Sequence, residues 1–338
     1  MKNLQIVFTQ INTAELLEKP VPQITSSQVL VKTCFSTVSC GTERANITGD
    51  PNCSAIPGVH FPRYSGYSSS GIVVAVGDKV NSVVVGDRVV VSWGTHSTYN
   101  VVEEENVVKI TSDKISMEEA ALFHIYTFPM AAVRKTRIEL GESAMVMGLG
   151  ILGQFAVQLA KTAGAVPVIA ADPVASRREL ALKLGADYAF DPLEKDFAEK
   201  VKLVTNGGVN AAIEVTGVGA GLDECLDCMA KFGRIALLGC TRNSEFQIDY
   251  YRKVHVPGIQ LIGAHTMARP QEESYPGYFT QRDDIRTIMQ MCQYNRLNLK
   301  NMVFETHSPC RCQQVYTRLV NDRNFPPVVQ FDWNSIEG

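Results

Sequence analysis

The segment Ser143–Gly153, SAMVMGLGILG, constrains the fold of this chain more than any other. An apolar run, Ser143–Met147, passes directly into Gly148-Leu149-Gly150-Ile151-Leu152-Gly153 and then into the helix-forming residues up to Thr162. That order predicts a strand, a tight turn and a buried helix. The G-x-G-x-x-G spacing has a physical use at each glycine. Gly148 permits the turn, Gly150 lets a pyrophosphate approach the main chain, and Gly153 lets the helix pack closely on the strand. A diphosphate would then meet the free N–H groups of the first helical turn, around Ile151 and Leu152.

The next apolar run, Val166–Ala171, ends in Asp172, 19 residues beyond Gly153. A carboxylate there accepts hydrogen bonds from a ribose diol and repels a 2′-phosphate, so NAD is expected over NADP. Arg177 and Arg178 follow on the next helix. Arg177 is taken as a cofactor candidate, with an exposed helix face as the alternative reading.

Downstream, helices of 8–12 residues alternate with short strands as far as Gln260–Ile262, which indicates parallel βαβ units and a doubly wound sheet. Upstream, residues 1 to about 110 carry short β-branched runs: Gln28–Ser39, Gly71–Val76, Asp87–Ser92 and Thr98–Val102. Turn residues separate them, so a compact barrel or sandwich is expected. One helix is expected over Ser116–Val133, with Ser116 as its N-cap. Helices near Asp283–Tyr294 and Cys312–Asn321 and a strand at Val328–Phe331 close the chain. The fold class is therefore α/β, with a β-rich domain beside a parallel-sheet domain, as 338 residues allow.

Composition excludes several roles. Apolar residues make up 45% and charged residues 20%, which suits folded cores rather than disorder. The net charge of −3 shows no basic excess for nucleic acid. Met1–Gln10 lacks the apolar core of a signal peptide, and glycines and Gln154 interrupt the most apolar stretch, so no membrane span is expected. Nine cysteines without a secretory signal are read as reduced thiols in the cytoplasm. Cys225 and Cys228, three apart within an expected helix, are read as packing rather than as a redox pair.

Several motifs in order resemble the medium-chain dehydrogenase/reductase superfamily. Val85–Val89 (VGDRV), Met145–Gly153, Lys183–Asp187 (KLGAD), Ala212–Gly217 (AIEVTG) and Gly233–Gly239 (GRIALLG) carry the resemblance. It implies a GroES-like catalytic domain over 1–122 and 268–338 around a Rossmann domain over 123–267. It also implies Thr216, Gly239 and Cys240 at the cofactor, and a homodimer or homotetramer.

Within that superfamily, the zinc alcohol dehydrogenases have a Cys-Gly-Ser/Thr-Asp segment, which Cys40-Gly41-Thr42-Glu43 resembles. The histidine ligand's place holds Tyr67, and the third ligand's place holds His124. A Cys/Tyr/His set suits zinc poorly, because a phenol keeps its proton near neutral pH. No metal is therefore assigned; if zinc is present, Cys40 and His124 would hold it. The Gly-Thr-Glu and Gly-Tyr pairing is similar to the branch containing bacteriochlorophyllide a dehydrogenase.

Without zinc, a side chain must accept or relay the hydroxyl proton. Cys40, Thr42, Tyr67 and His124 are the catalytic candidates. His124 is the titrating candidate, with a histidine satisfied in the core as its alternative. Thr42 would relay through the ribose hydroxyl, as the resemblance implies. Trp93, His96 and Tyr126 could line the substrate side, though each is more often a core or rim residue, and Glu43 is expected to brace its loop against Arg44 or Arg63. The reading is an NAD-dependent oxidoreductase for a secondary alcohol on a polyol, sugar or cyclitol. A zinc-free alkene or quinone reductase and a non-catalytic dinucleotide-binding protein are the alternatives.

Overall fold

The computed structural model describes residues 2–21, 23–53 and 58–336. They form two compact units, Met1–Ile125 with Ile285–Gly338, and Tyr126–Asp284.

The second unit is built on a six-stranded sheet. Its order is Tyr188–Phe190, Val168–Ala171, Ala144–Met147, Val209–Glu214, Met229–Leu237 and Gln260–Gly263, every neighbouring pair parallel. Successive strand residues point to opposite faces, yet all four residues of Ala144–Met147 and of Val168–Ala171 are buried. Both faces are therefore covered, which is why these strands read as unbroken apolar runs. On one face Met145, Met147, Ile169 and Ala171 share a core with Phe197, Val201, Cys225, Leu226 and Cys228. The strand order reverses between Ala144–Met147 and Val209–Glu214. In sheets of this kind a ligand binds outside the carboxyl ends of the strands at such a reversal.

Residues 264–284 pack with this unit through buried charge. The Asp284 carboxylate is buried between the guanidinium groups of Arg134, at 3.0 Å, and Arg269, at 3.4 Å. Arg269 also donates to the Thr127 carbonyl, and Arg134 lies 3.8 Å from the centre of the Phe279 ring.

The first unit contains a seven-stranded sheet in which Gln28–Thr37 is central, pairing antiparallel with Ser68–Val76, Tyr99–Glu103 and Val329–Asp332. A smaller antiparallel sheet joins Asn3–Gln10, Thr13–Lys19 and Arg63–Tyr64.

The expected helix over Ser116–Val133 is two helices, Met117–Ala120 and Phe123–Thr136. Ser116 caps the first, and Glu119 bonds back to the Ser116 N–H. The break has a visible cause: the Ala121 carbonyl accepts the Thr37 and Ser68 hydroxyls, so it is diverted from the helix ladder. A helix not expected from the sequence, Cys40–Thr48, follows the central strand and ends at Gly49 in the left-handed region.

Candidate active site

In the second unit, the loops after three neighbouring strands meet at the reversal. Gly148 has φ +95°, and a Cβ there would lie 3.0 Å from Thr216 Cγ2. A Cβ on Gly153 would fall 1.9 Å from the Gly148 carbonyl, so the helix Ile151–Thr162 can sit on the turn only with glycine there. A Cβ on Gly150 would meet nothing within 4 Å. Gly150 is the N-cap and offers no side-chain cap, so the N–H groups of Ile151, Leu152 and Gly153 open this helix toward that space.

Asp172 joins the turn from the side. It is 4% exposed, its Oδ2 accepts the Leu149 N–H at 2.8 Å, and its Oδ1 accepts the Val174 N–H at 2.8 Å. Each carboxylate oxygen has two lone pairs, so capacity remains for a further donor. Arg177 is turned to this acid rather than outward: its Nη1 lies 3.7 Å from Asp172 Oδ2. Arg178 donates to the Asp172 carbonyl and faces Asp191.

Glu214, which sequence reasoning passed over, organises the next loop. Its buried carboxylate accepts the N–H and hydroxyl of Thr216 and the N–H of Gly217. Burial raises its pKa, and these three donors oppose that shift. A Cβ on Gly239 would fall 2.2 Å from the Gly217 nitrogen, so this loop and the next touch through main chain. Cys240 follows, exposed. Glu214 was legible as an acid ending a strand, one place before Val215 and Thr216.

In the first unit, three rings form an aromatic corner. Trp93 and His124 meet edge to face at 4.7 Å between ring centres, Tyr67 and His124 at 5.6 Å, and Tyr67 and Trp93 lie 5.8 Å apart. His124 is wholly buried, whereas Tyr67 is partly and Trp93 substantially exposed. The main-chain N–H of Trp93 donates to the Tyr67 carbonyl at 2.9 Å, which ties the two residues. Ser39 is the N-cap of the helix Cys40–Thr48, but its hydroxyl makes no cap bond. It hydrogen-bonds the Tyr67 hydroxyl instead. Thr42 is half-buried on the same helix.

Beneath this corner lies a polar network assembled from distant parts of the sequence. Glu43 is wholly buried. Its carboxylate accepts the Ser39 N–H at 2.9 Å and the Tyr316 hydroxyl at 2.6 Å, and meets His96 Nε2 at 3.2 Å. His96 Nδ1 lies 2.7 Å from the Ser36 hydroxyl, which accepts the Trp333 indole N–H. A carboxylate only accepts, so the proton of a neutral His96 sits on Nε2 and Ser36 donates to Nδ1. Burial beside this carboxylate drives the Tyr316 phenol well above its usual range.

One expectation is corrected here, and two alternatives are decided. Glu43 pairs with neither Arg44 nor Arg63, which bond the Leu319 and His60 carbonyls. His96 takes the core place of its two alternatives, wholly enclosed by the network. Tyr126 is also enclosed and stacks on Phe155.

Two features define the class: a glycine turn and acid at the reversal of a parallel sheet, and a separate β-rich unit carrying the aromatic corner. Residues 25–116 match the alcohol dehydrogenase GroES-like domain, and residues 152–280 match the zinc-binding dehydrogenase domain. A D-guloside 3-dehydrogenase of Escherichia coli is 26% identical over 320 residues, 88% of this chain and 91% of that protein. An L-threonine 3-dehydrogenase of Pyrococcus abyssi is 30% identical over 280 residues, 74% of this chain and 79% of that protein. The crystal structure of benzyl alcohol dehydrogenase from Acinetobacter calcoaceticus superposes with a TM-score of 0.85 at 22% identity, covering 98% of this chain and 99% of that one; this is a likeness of fold. The chain belongs to the zinc-type alcohol dehydrogenases of the medium-chain dehydrogenase/reductase superfamily and is an alcohol-dehydrogenase-like oxidoreductase.

The family implies a zinc ion among Cys40, Tyr67 and His124, and these residues do not fit one. Cys40 Sγ is turned to main chain, 3.7–3.8 Å from the Val38, Pro326 and Pro327 carbonyl oxygens. The Tyr67 oxygen is a phenol bonded to Ser39. Among the described residues, no three His, Cys, Asp or Glu side chains group to hold a metal. No described helix is long and apolar enough to cross a membrane.

Proposed function

We propose that the chain is an NAD(H)-dependent oxidoreductase interconverting a secondary alcohol and a ketone on a polar substrate of the polyol, sugar or cyclitol type. The single observation that carries the cofactor reading is Asp172, whose buried carboxylate is fixed on the turn of Gly148 and Gly150. Its remaining lone pairs suit the two hydroxyls of an adenosine ribose and oppose a 2′-phosphate. Gly148, Gly150, Ile151, Leu152 and Gly153 take the diphosphate, with Arg177, Thr216, Gly239 and Cys240 around it. Bound NAD supplies the hydride acceptor. The chain itself must hold the substrate oxygen and move its proton, and the candidates are Cys40, Thr42, Tyr67 and His124.

The polar substrate class is supported by relatives named for a guloside and for threonine. A homodimer or homotetramer is part of the same proposal. The strand Gln260–Gly263 is one of the two edge strands of its sheet, and it is exposed along most of its length.

The test is NADH and NADPH binding by protein fluorescence, followed by NAD reduction across a polyol, sugar and cyclitol panel. Tight NADH binding with turnover of one such alcohol is expected. Preference for NADPH, or hydride transfer to activated alkenes alone, overturns the reading.

A further inference from the structure

We propose that the hydroxyl of Tyr67, oriented by Ser39, is the proton donor and acceptor at the substrate oxygen, and that this centre works without a metal ion. The inference rests on the alcohol–ketone reading above and deepens it. Three observations carry it.

The first is what Tyr67 replaces. By the resemblance of Gly66-Tyr67-Ser68 to the family's Gly-His-Glu segment it takes the place of a histidine ligand, immediately before the strand Ser68–Val76. A phenol cannot serve as that ligand near neutral pH, but it can serve as an acid. The second is the behaviour of Ser39. A serine at an N-cap ordinarily bonds the helix it begins. Here the helix goes without, and the hydroxyl is committed to Tyr67. The third is what holds Ser39. Its N–H is fixed by the Glu43 carboxylate, which His96 and Tyr316 hold in turn. The wholly buried Glu43 therefore fixes the main chain from which Ser39 reaches Tyr67, and among the described residues no three His, Cys, Asp or Glu side chains group to hold a metal.

The step balances without a co-reactant beyond NAD(H). In ketone reduction, bound NADH would supply the hydride of the new C–H bond; the carbonyl π pair moves to oxygen, and that oxygen takes the Tyr67 proton. Ser39 then donates its hydrogen bond to the phenolate, and water returns the proton to the partly exposed Tyr67. Alcohol oxidation runs the same bonds in reverse. Tyr67 is the catalytic residue; Ser39 and Glu43 are positioning residues.

The experiment uses the full chain. Zinc is measured after purification, and cobalt(II) alone is titrated into wild type and Cys40→Ser while absorption is recorded. In parallel, kcat, KM, the solvent isotope effect and NADH binding are measured for Tyr67→Phe, Ser39→Ala and Ser39→Thr. Expected results are zinc far below one per chain and no cobalt–thiolate band that depends on Cys40. Tyr67→Phe should lose about 100-fold or more in kcat with NADH affinity unchanged, within the range that general acid–base catalysis supplies. Ser39→Ala should lose about tenfold in kcat with a changed solvent isotope effect, and Ser39→Thr should restore both.

One zinc per chain, a cobalt–thiolate band lost in Cys40→Ser, or a Tyr67→Phe enzyme with wild-type kcat overturns the proposal. A wild type that binds NADH but turns over no alcohol or ketone overturns the functional reading and the proton role together. In that case the metal measurements still decide the donor set by themselves.

Discussion

The carboxylate of Asp172 accepts the main-chain N–H of Leu149 at 2.8 Å, so the acid that ends one strand fixes the glycine turn that ends its neighbour. One side chain thus shapes the diphosphate turn and presents oxygens to a ribose. Asp172→Asn keeps the size but puts an amide where two N–H donors converge. NADH affinity is expected to fall at least tenfold, with about 1–3 kcal/mol lost from stability as a buried N–H loses its acceptor. Asp172→Ser also releases Arg177 from its 3.7 Å contact, so the ratio of NADH to NADPH affinity should shrink. Fluorescence titration of both coenzymes against both variants measures this; an unchanged ratio refutes it.

Gly150 and Gly153 are expected to respond in opposite ways. A side chain on Gly150 has φ −68° and open space, so Gly150→Ala should fold with wild-type stability. It would fill the face assigned to the diphosphate, and NADH binding should weaken at least tenfold. Gly153→Ala drives a methyl into the Gly148 carbonyl, a main-chain atom that cannot step aside. It should cost about 1–3 kcal/mol or more, the range for overfilled cores. Thermal unfolding and coenzyme titration on both variants separate the two roles.

The sequence made the parallel sheet legible because its strands are buried on both faces and its turn depends on glycine chemistry. Gly148, Gly153 and Asp172 carry that information locally, within a single βαβ unit. Glu43 and His96 do not. They are remote in sequence, and what joins them is the antiparallel sheet and the return of the tail that brings Tyr316 and Trp333. The helix Cys40–Thr48 was obscured by Gly41, Thr42 and Thr48, which are weak helix formers, and only Glu43, Ala45 and Ile47 are buried on it. The break after Ala120 was invisible for a related reason: its cause is the pair of hydroxyls from Thr37 and Ser68 on sheet strands.

The network under the aromatic corner predicts an asymmetry between its members. Tyr316→Phe removes one donor to Glu43 but leaves the Ser39 N–H and His96 in place. It should cost about 1–3 kcal/mol. Glu43→Ala strips the acceptor from Ser39, His96 and Tyr316 together and leaves a cavity, so its loss should exceed that of Tyr316→Phe. The double variant should show strong non-additivity, because both changes act on one hydrogen-bonded group. Urea unfolding of the two single variants and the double variant gives the coupling; simple additivity would break this account of Glu43 as the hub.

Cys225 and Cys228 have the spacing of a redox pair and the surroundings of a core. Both are buried among Met145, Phe197 and Leu226. Burial pushes the Cys228 thiol up to about 12 and the Cys225 thiol well above its ordinary value of 9.0. The thiolate is the reactive form, so neither should react with iodoacetamide in the native chain at pH 8, whereas exposed Cys240 and Cys310 should. The linkage to folding has a definite sign. The folded state keeps these protons above the pH at which the unfolded chain releases them, so the unfolded state binds fewer protons. Stability should therefore fall as pH rises from about 9 toward 12. Cys225→Ala/Cys228→Ala should flatten that alkaline slope while lowering stability at neutral pH through lost packing. Mass spectrometry of the alkylated native protein checks the reactivity, and denaturation between pH 7 and the alkaline limit, on about a one-unit grid, checks the slope. Rapid native labelling at either position would show that this face of the sheet opens to solvent.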